Sequence, residues 1–300
     1  MAITKAAVEY HFPQSVDEAI HLLQHYGARA RIIAGGTDLL LRMEAEGYRP
    51  QALVDITRIP ALKRIEVQDG QVFIGSAVTY SELLDLPSLA ERVPFLIRAI
   101  RTIGGVQVRN MATLVGNITN ASPAGDTLPC LYVLNAEVHI NGPRGERSLP
   151  IEQFILGVRR TALAPAEIVT HVTFPLPTDS WFGVFEKLGL RRAMAISVVS
   201  AAVMLGTKGG QVAEARCALG AVAPTVIRVP TVERYLEGRA LDDEIIEQAG
   251  RYVVQAARPI DDIRGSARYR AEAAAALVRR ALRHLRDQIV GRSKSCLCWK

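Results

Sequence analysis

Apolar residues recur at helical spacing in "AIHLLQHY" (19–26), and the residues before them form a capping box, Ser15 with Glu18 three positions on. Gly27 follows as a stop, so a first helix is expected there. "RARIIA" reads as a strand, Thr37 is placed to cap "DLLLRMEAEG" as a second helix, and "ALVDIT" reads as another strand. A small β-α-β unit closes near residue 57. The pattern then alternates on either side of Asp69-Gly70 in "LKRIEVQDGQVFIGSAV", the pair favoured in a two-residue hairpin turn. Two helical segments follow, "YSELLD" and "SLAERVPFLIRAI".

The next stretch, "TIGGVQVRNMATLVGNITNASPAGDTLP", is so rich in Gly, Asn, Thr and Ser that it reads as an irregular polar loop, too long for a plain connection and therefore functional. "TLPCLYVL" then reads as a helix, "AEVHINGPRGERSLPI" as a hairpin, "EIVTHVTFP" as a strand ended by prolines, and "PLPTDS" (175–180) as a linker. Beyond it, two strands flank Gly209-Gly210, with helices near 229–237, 242–257 and 268–289. This order predicts an α+β chain: a domain over 1–176 with subdomains 1–57 and 58–176, an α+β domain over 181–289, and a tail over 290–300.

Composition narrows the class. With 49% hydrophobic and 22% charged residues in 300, the chain suits a globular protein with a large core. Its start holds no continuous apolar stretch, and "AMAISVVSAAVML" is too short to span a bilayer, so a cytoplasmic location is expected. Cys130 and Cys217 read as reduced core residues; Cys296 and Cys298 sit in a basic tail, as a frayed end or a dithiol. The six histidines show no metal-ligand pairing, and no metal site is expected. The net charge of +6 is C-terminal, since residues 251–300 hold 12 Lys and Arg against 4 Asp and Glu. Arg279, Arg280, Arg283 and Arg286 are expected on the solvent side of the last helix, a protein-docking face; without interleaved aromatics or a reading helix, nucleic-acid binding is not expected.

Two short loops carry the candidate chemistry. "AGGTD" and "TLVGN" offer backbone amides and hydroxyls with little side-chain bulk, as a pyrophosphate requires, and a helix starting at Thr37 adds a favourable dipole. A tight turn explains Gly35-Gly36 as well. Neither loop is G-x-G-x-x-G, so a Rossmann nicotinamide site is not indicated.

"AGGTDLL", "VQVRNMATLVGNITNASPAGDTLP" and "FEKLGLRRAMAISVVSAAV", in that order, resemble the FAD-binding subunit of the molybdenum hydroxylases, the xanthine dehydrogenase, carbon monoxide dehydrogenase and aldehyde or aromatic hydroxylase group. The likeness covers about residues 6–286. It implies a two-subdomain FAD-binding domain of the vanillyl-alcohol-oxidase type, then a three-stranded antiparallel sheet with helices. It also implies a large subunit with molybdopterin and a small subunit with two [2Fe–2S] clusters, in a dimer of heterotrimers, and an electron acceptor such as NAD.

The resemblance assigns cofactor binding to Ile33, Ala34, Gly35, Gly36, Thr37, Asp38 and Leu39, to Ile103, and to Thr113, Leu114, Gly116 and Asn117. Val115 stands where the family's second loop has a glycine. Ser122, Pro123 and Asp126 match its A-S-P-x-x-D, the carboxylate placed for cofactor hydroxyls or as a helix cap. Val169 matches an apolar position that core packing also explains, and Lys187 a cation that would favour reduced flavin or else a solvated strand end. Ala193, Met194 and Ala195 replace residues that are acidic in many relatives, which removes the basis for expecting nicotinamide contacts there. No residue is expected to act as nucleophile or general acid, and Cys130 alone after Asp126 provides no four-thiolate cluster. The rival classes are a free-standing flavin oxidoreductase and a non-catalytic interaction module.

Overall fold

A computed structural model describes residues 7–297, with side chains to residue 291. The first unit comprises β1 (Glu9–His11), α1 (Val16–Tyr26), β2 (Ala30–Ile33), α2 (Leu39–Glu46) and β3 (Ala52–Asp55). Its strands are parallel in the order β1-β3-β2. The hydroxyl of Ser15 accepts from Glu18 N–H and Gly27, at φ 55, ends α1 as its spacing implies. In contrast, α2 is not capped by Thr37. Its first helical bond runs from Leu40 N–H to the Gly36 carbonyl, which leaves Thr37 inside the turn and Asp38 at the cap position without a side-chain bond to the helix's own amides.

The second unit is built on the antiparallel pair β4 (Ile65–Gln68) and β5 (Gln71–Gly75), joined through Asp69 and Gly70 at φ 51 and 72, the left-handed pair of a type I′ turn. Helices α3 (Tyr80–Leu84), α4 (Pro87–Arg92) and α5 (Pro94–Arg101) follow; one expected helix is split in two at Val93-Pro94, where proline removes an N–H. The polar run is not an irregular loop: it contains α6 (Val106–Arg109) and α7 (Leu114–Asn120). Leu114, Val115 and Ile118 bury one face of α7, and tertiary packing outweighs the low helix propensity of its Gly, Asn and Thr.

Next come α8 (Leu128–Val133), β6 (Glu137–Gly142), β7 (Gly145–Pro150), α9 (Ile151–Phe154), the small hairpin β8 (Ile155–Gly157) and β9 (Arg160–Thr161), and β10 (Ile168–Pro175). The larger sheet runs β4-β5-β10-β6-β7, and its inner residues Val72, Ile74, Val138, Ile140, Val172 and Phe174 are fully buried.

The last unit holds β11 (Trp181–Gly189), β12 (Ser197–Lys208), β13 (Gln211–Gly220) and β14 (Ile227–Arg228), an antiparallel sheet of four strands where the resemblance implies three. The extra one is a two-residue edge strand. Helices α10 (Pro230–Leu236), α11 (Asp243–Ala256) and α12 (Ala267–Leu297) cover one face. The arginines of α12 are not merely solvated: Arg279 and Arg283 pair with Glu247, Arg286 with Asp243, and Arg280 with Glu186. The Glu186 side chain is only 2% exposed and also meets Arg98 of α5, so it joins the second unit to the third. Cys130 and Cys217 are buried and free; the side chains of Cys296 and Cys298 lie outside the described residues. No helix among the described residues is long and apolar enough to cross a membrane.

On the outer face of the larger sheet, Phe73, His171 and His139 stack with ring centroids 4.1 Å apart at each step. Burial, then His139 and Arg64, push the His171 imidazole down from 6.5 to about 4. The unfolded chain therefore takes up that proton first: the contribution to stability is complete above pH 6.5 and is lost as pH falls towards 4. Urea unfolding midpoints measured across this window are expected to drop with pH, and His171→Phe to flatten the slope.

Candidate cofactor site

A cavity of about 1100 Å³ opens where the three units meet. That is slightly above the usual range for small-molecule sites, roughly 300–1,000 Å³. Its first wall is the turn after β2. An added Cβ on Gly35 would sit 1.8 Å from the carbonyl oxygen of Met111, so glycine is required for the chain ahead of α7 to pass. Gly36 has φ +69, a conformation that side chains rarely adopt. The backbone N–H groups of Gly36, Thr37 and Asp38 find no protein acceptor among the described residues. They constitute a donor set for an anion. Asn120 donates to the Asp38 carboxylate at 3.1 Å; burial pushes that carboxyl up, opposed by Arg159 and Arg42.

The second wall is the start of α7. Thr113 caps it, its hydroxyl accepting from Gly116 N–H at 2.9 Å, and Asn117 is fixed by the Thr127 hydroxyl at 2.8 Å. Val115 lies in the helical first turn, 3% exposed and without positive φ, so its position needs no glycine.

Asp126 forms the floor. It is not a helix cap, because Thr127 takes that position, without a side-chain bond to the helix's own amides. The Asp126 carboxylate instead accepts from Lys187 Nζ at 2.5 Å, Ser197 Oγ at 2.5 Å and Thr102 Oγ1 at 3.4 Å. Burial pushes its carboxyl up, while the Lys187 ammonium and these hydrogen bonds act against that. Lys187 thus stands behind Asp126, not on the cavity wall, with its side chain 10% exposed.

Ile33, Ala34, Gly35, Gly36, Thr37, Asp38, Leu39, Ile103, Thr113, Gly116, Asn117, Ser122, Asp126 and Val169 all line the cavity. Leu114 does not: it is fully buried in the core beneath α7. Sequence reasoning missed Ser76, the segment Leu163–Glu167, and the lip Met194–Ile196, which also line it. Pro165 followed by Glu167 at the head of a strand was a usable turn signal; Ser76 carries none. Among the described residues no cluster of three or more His, Cys, Asp or Glu side chains is placed to hold a metal.

A large cleft walled by two glycine-bearing segments, one with backbone amides that lack a protein acceptor among the described residues, has the construction of a site for a phosphate-bearing ligand. Comparison with known proteins narrows the class: residues 6–177 match the FAD binding domain in molybdopterin dehydrogenase, and residues 185–285 the CO dehydrogenase flavoprotein C-terminal domain. The chain belongs to the family of FAD-binding medium subunits of molybdenum hydroxylases. It is 33% identical to the carbon monoxide dehydrogenase medium chain of Hydrogenophaga pseudoflava, over 91% of this chain and 95% of that one. Against the nicotine 6-hydroxylase medium subunit of Paenarthrobacter nicotinovorans the identity is 32%, over 92% and 96%. The solved structure of quinoline 2-oxidoreductase from Pseudomonas putida 86 superposes with a TM-score of 0.89 at 29% identity, covering 94% of this chain and 98% of that one.

Removing one member of a buried ion pair strands the other, at a cost of about 3–5 kcal/mol. Lys187→Met is expected to destabilise the protein by an amount of that order, and Asp126→Asn in the same chain to restore most of it. Chemical denaturation of the two single variants and the double variant checks the coupling.

Proposed function

We propose that the cavity holds FAD and that the chain is the electron-transferring flavoprotein subunit of a molybdenum hydroxylase. In this reading it takes electrons from [2Fe–2S] clusters of a small partner subunit and passes them to NAD⁺ or another carrier. A large partner subunit holds molybdopterin and the substrate, the assembly is a dimer of heterotrimers, and its location is cytoplasmic. The observation that carries the proposal is the convergence of both glycine-bearing turns on one cavity with unused amides.

FAD, when bound, supplies exchange of electrons singly or in pairs, so that a subunit of this kind links one-electron donors to a two-electron acceptor. The protein's part is binding and tuning. Gly36, Thr37 and Asp38 would donate backbone N–H groups to the pyrophosphate, with the N-terminus of α2 behind them. Thr113, Gly116 and Asn117 would hold it from the other side, with Ile33, Leu39, Ile103 and Val169 as apolar contacts. Asp126 would accept from cofactor hydroxyls, and Lys187 would act through it by keeping the carboxylate charged and oriented. The apolar lip Met194, Ala195 and Ile196 borders the same cavity, where an electron carrier would approach.

The test is affinity purification from the native host, with mass spectrometry, metal and flavin analysis. Molybdenum, iron and FAD with two further chains are expected. Flavin that a small substrate reduces in the absence of partners would instead identify a free-standing oxidoreductase. Gly36→Val, introduced into the same assembly, is expected to leave it folded and free of FAD, read from the visible absorption; full flavin occupancy would reduce the Gly-Gly pair to a turn.

A further inference from the structure

The missed wall of the cavity has an unusual construction. Thr161 and Leu163–Val169 border the cavity in the approach to β10. Within this segment, Ala164-Pro165-Ala166-Glu167 is a tight turn closed by Glu167 N–H to the Ala164 carbonyl at 3.2 Å. Proline occupies its second position and Ala166, at φ 61, its third. That is the pattern of a type II turn, whose third position ordinarily requires glycine. An alanine there is strained.

The strain is opposed from outside the turn. The Glu167 side chain folds back so that Oε2 accepts from Ala164 N–H at 2.7 Å. Arg147, on β7, grips the same carboxylate with both arms of its fork, Nε to Oε1 at 3.0 Å and Nη2 to Oε2 at 2.6 Å. Its Nη2 also donates to the Ala162 carbonyl at 2.8 Å. Arg144 adds a weaker charge at 3.7 Å. Room for the folded side chain comes from Gly142: a Cβ there would lie 2.7 Å from Glu167 Cγ. Arg147 holds the carboxyl below the usual range, so the pair is fully charged at neutral pH. Arg147 itself does not reach the cavity; it acts on it only through Glu167.

We propose that Arg147 and Glu167 are positioning residues for FAD, a charged clamp that holds the strained turn 164–167 as a wall of the cofactor cavity. The proposal rests on the reading of that cavity as the FAD site. A planar, bidentate grip fixes the turn in both position and direction, which a single ammonium contact would not.

The full-length protein, purified with its accompanying chains, is stripped of flavin and titrated with FAD, following the quenching of flavin fluorescence. Arg147→Met is expected to raise the Kd about tenfold, the equivalent of about 1.4 kcal/mol. Arg147→Lys, which keeps the charge without the fork, should fall between Arg147→Met and the parent. Ala166→Gly relieves the strain, so it should restore most of the affinity in the Arg147→Met background and change little alone. If Arg147→Met fails to fold, Gly142→Ala displaces Glu167 without removing a charge and should weaken FAD in the same way. A parental Kd with only a lowered unfolding midpoint, or no restoration by Ala166→Gly, overturns the clamp. Gly36→Val is the control: if it retains FAD, the reading of the cavity fails; if it loses FAD while Arg147→Met keeps it, only the clamp fails.

Discussion

The absence of a single methyl group sets the geometry of this protein. Gly35 lets the carbonyl of Met111 approach to where a Cβ would begin, and through that contact the small parallel unit meets the helical run of the second unit edge to edge. The cavity is the space left beside the meeting point. Any side chain would push the walls apart before it disturbed either core, because a clash at 1.8 Å with backbone cannot be relieved by a rotamer change.

Charge is placed with the same economy. The most buried carboxylates, Asp126, Glu167 and Glu186, stand at joints between elements distant in sequence, each met by a Lys or Arg from another element. Such pairs add little net stability over apolar contacts, but a wrong arrangement strands a charge. Here they act as alignment devices: Asp126 ties the cavity floor to β11 and β12, and Glu186 ties β11 to helices on both sides.

Local signals were legible where the backbone needs a particular residue. Ser15 and Gly27 bound the first helix, Asp69-Gly70 turns a hairpin, and Gly209-Gly210, at φ 59 and 80, joins β12 to β13. The family motifs located the two glycine-bearing walls and the floor of the cavity, but not the wall at Leu163–Glu167. What stayed hidden was set by distant partners or by a residue filling another's usual place. Lys187 is 61 positions from the carboxylate that claims it. The helix α7 was masked by polar residues on its open side, and the turn at 164–167 by alanine standing where glycine is the usual signal.

Strand β12 is buried along its first ten residues, and over Ala201–Leu205 its alternate side chains belong to different cores. Ala202 and Met204 pack with the helices of the second unit, whereas Val199, Ala201, Val203 and Leu205 pack beneath α11 and α12. The third unit is therefore not an interchangeable module: a grafted replacement would have to match two interiors at once, one through Ala202 and Met204 and the other through the residues between and beside them. In recombination among relatives, crossovers in the linker before β11 should be rarer than its exposed, proline-rich sequence suggests, because the compatibility that decides survival is written into the strand after it.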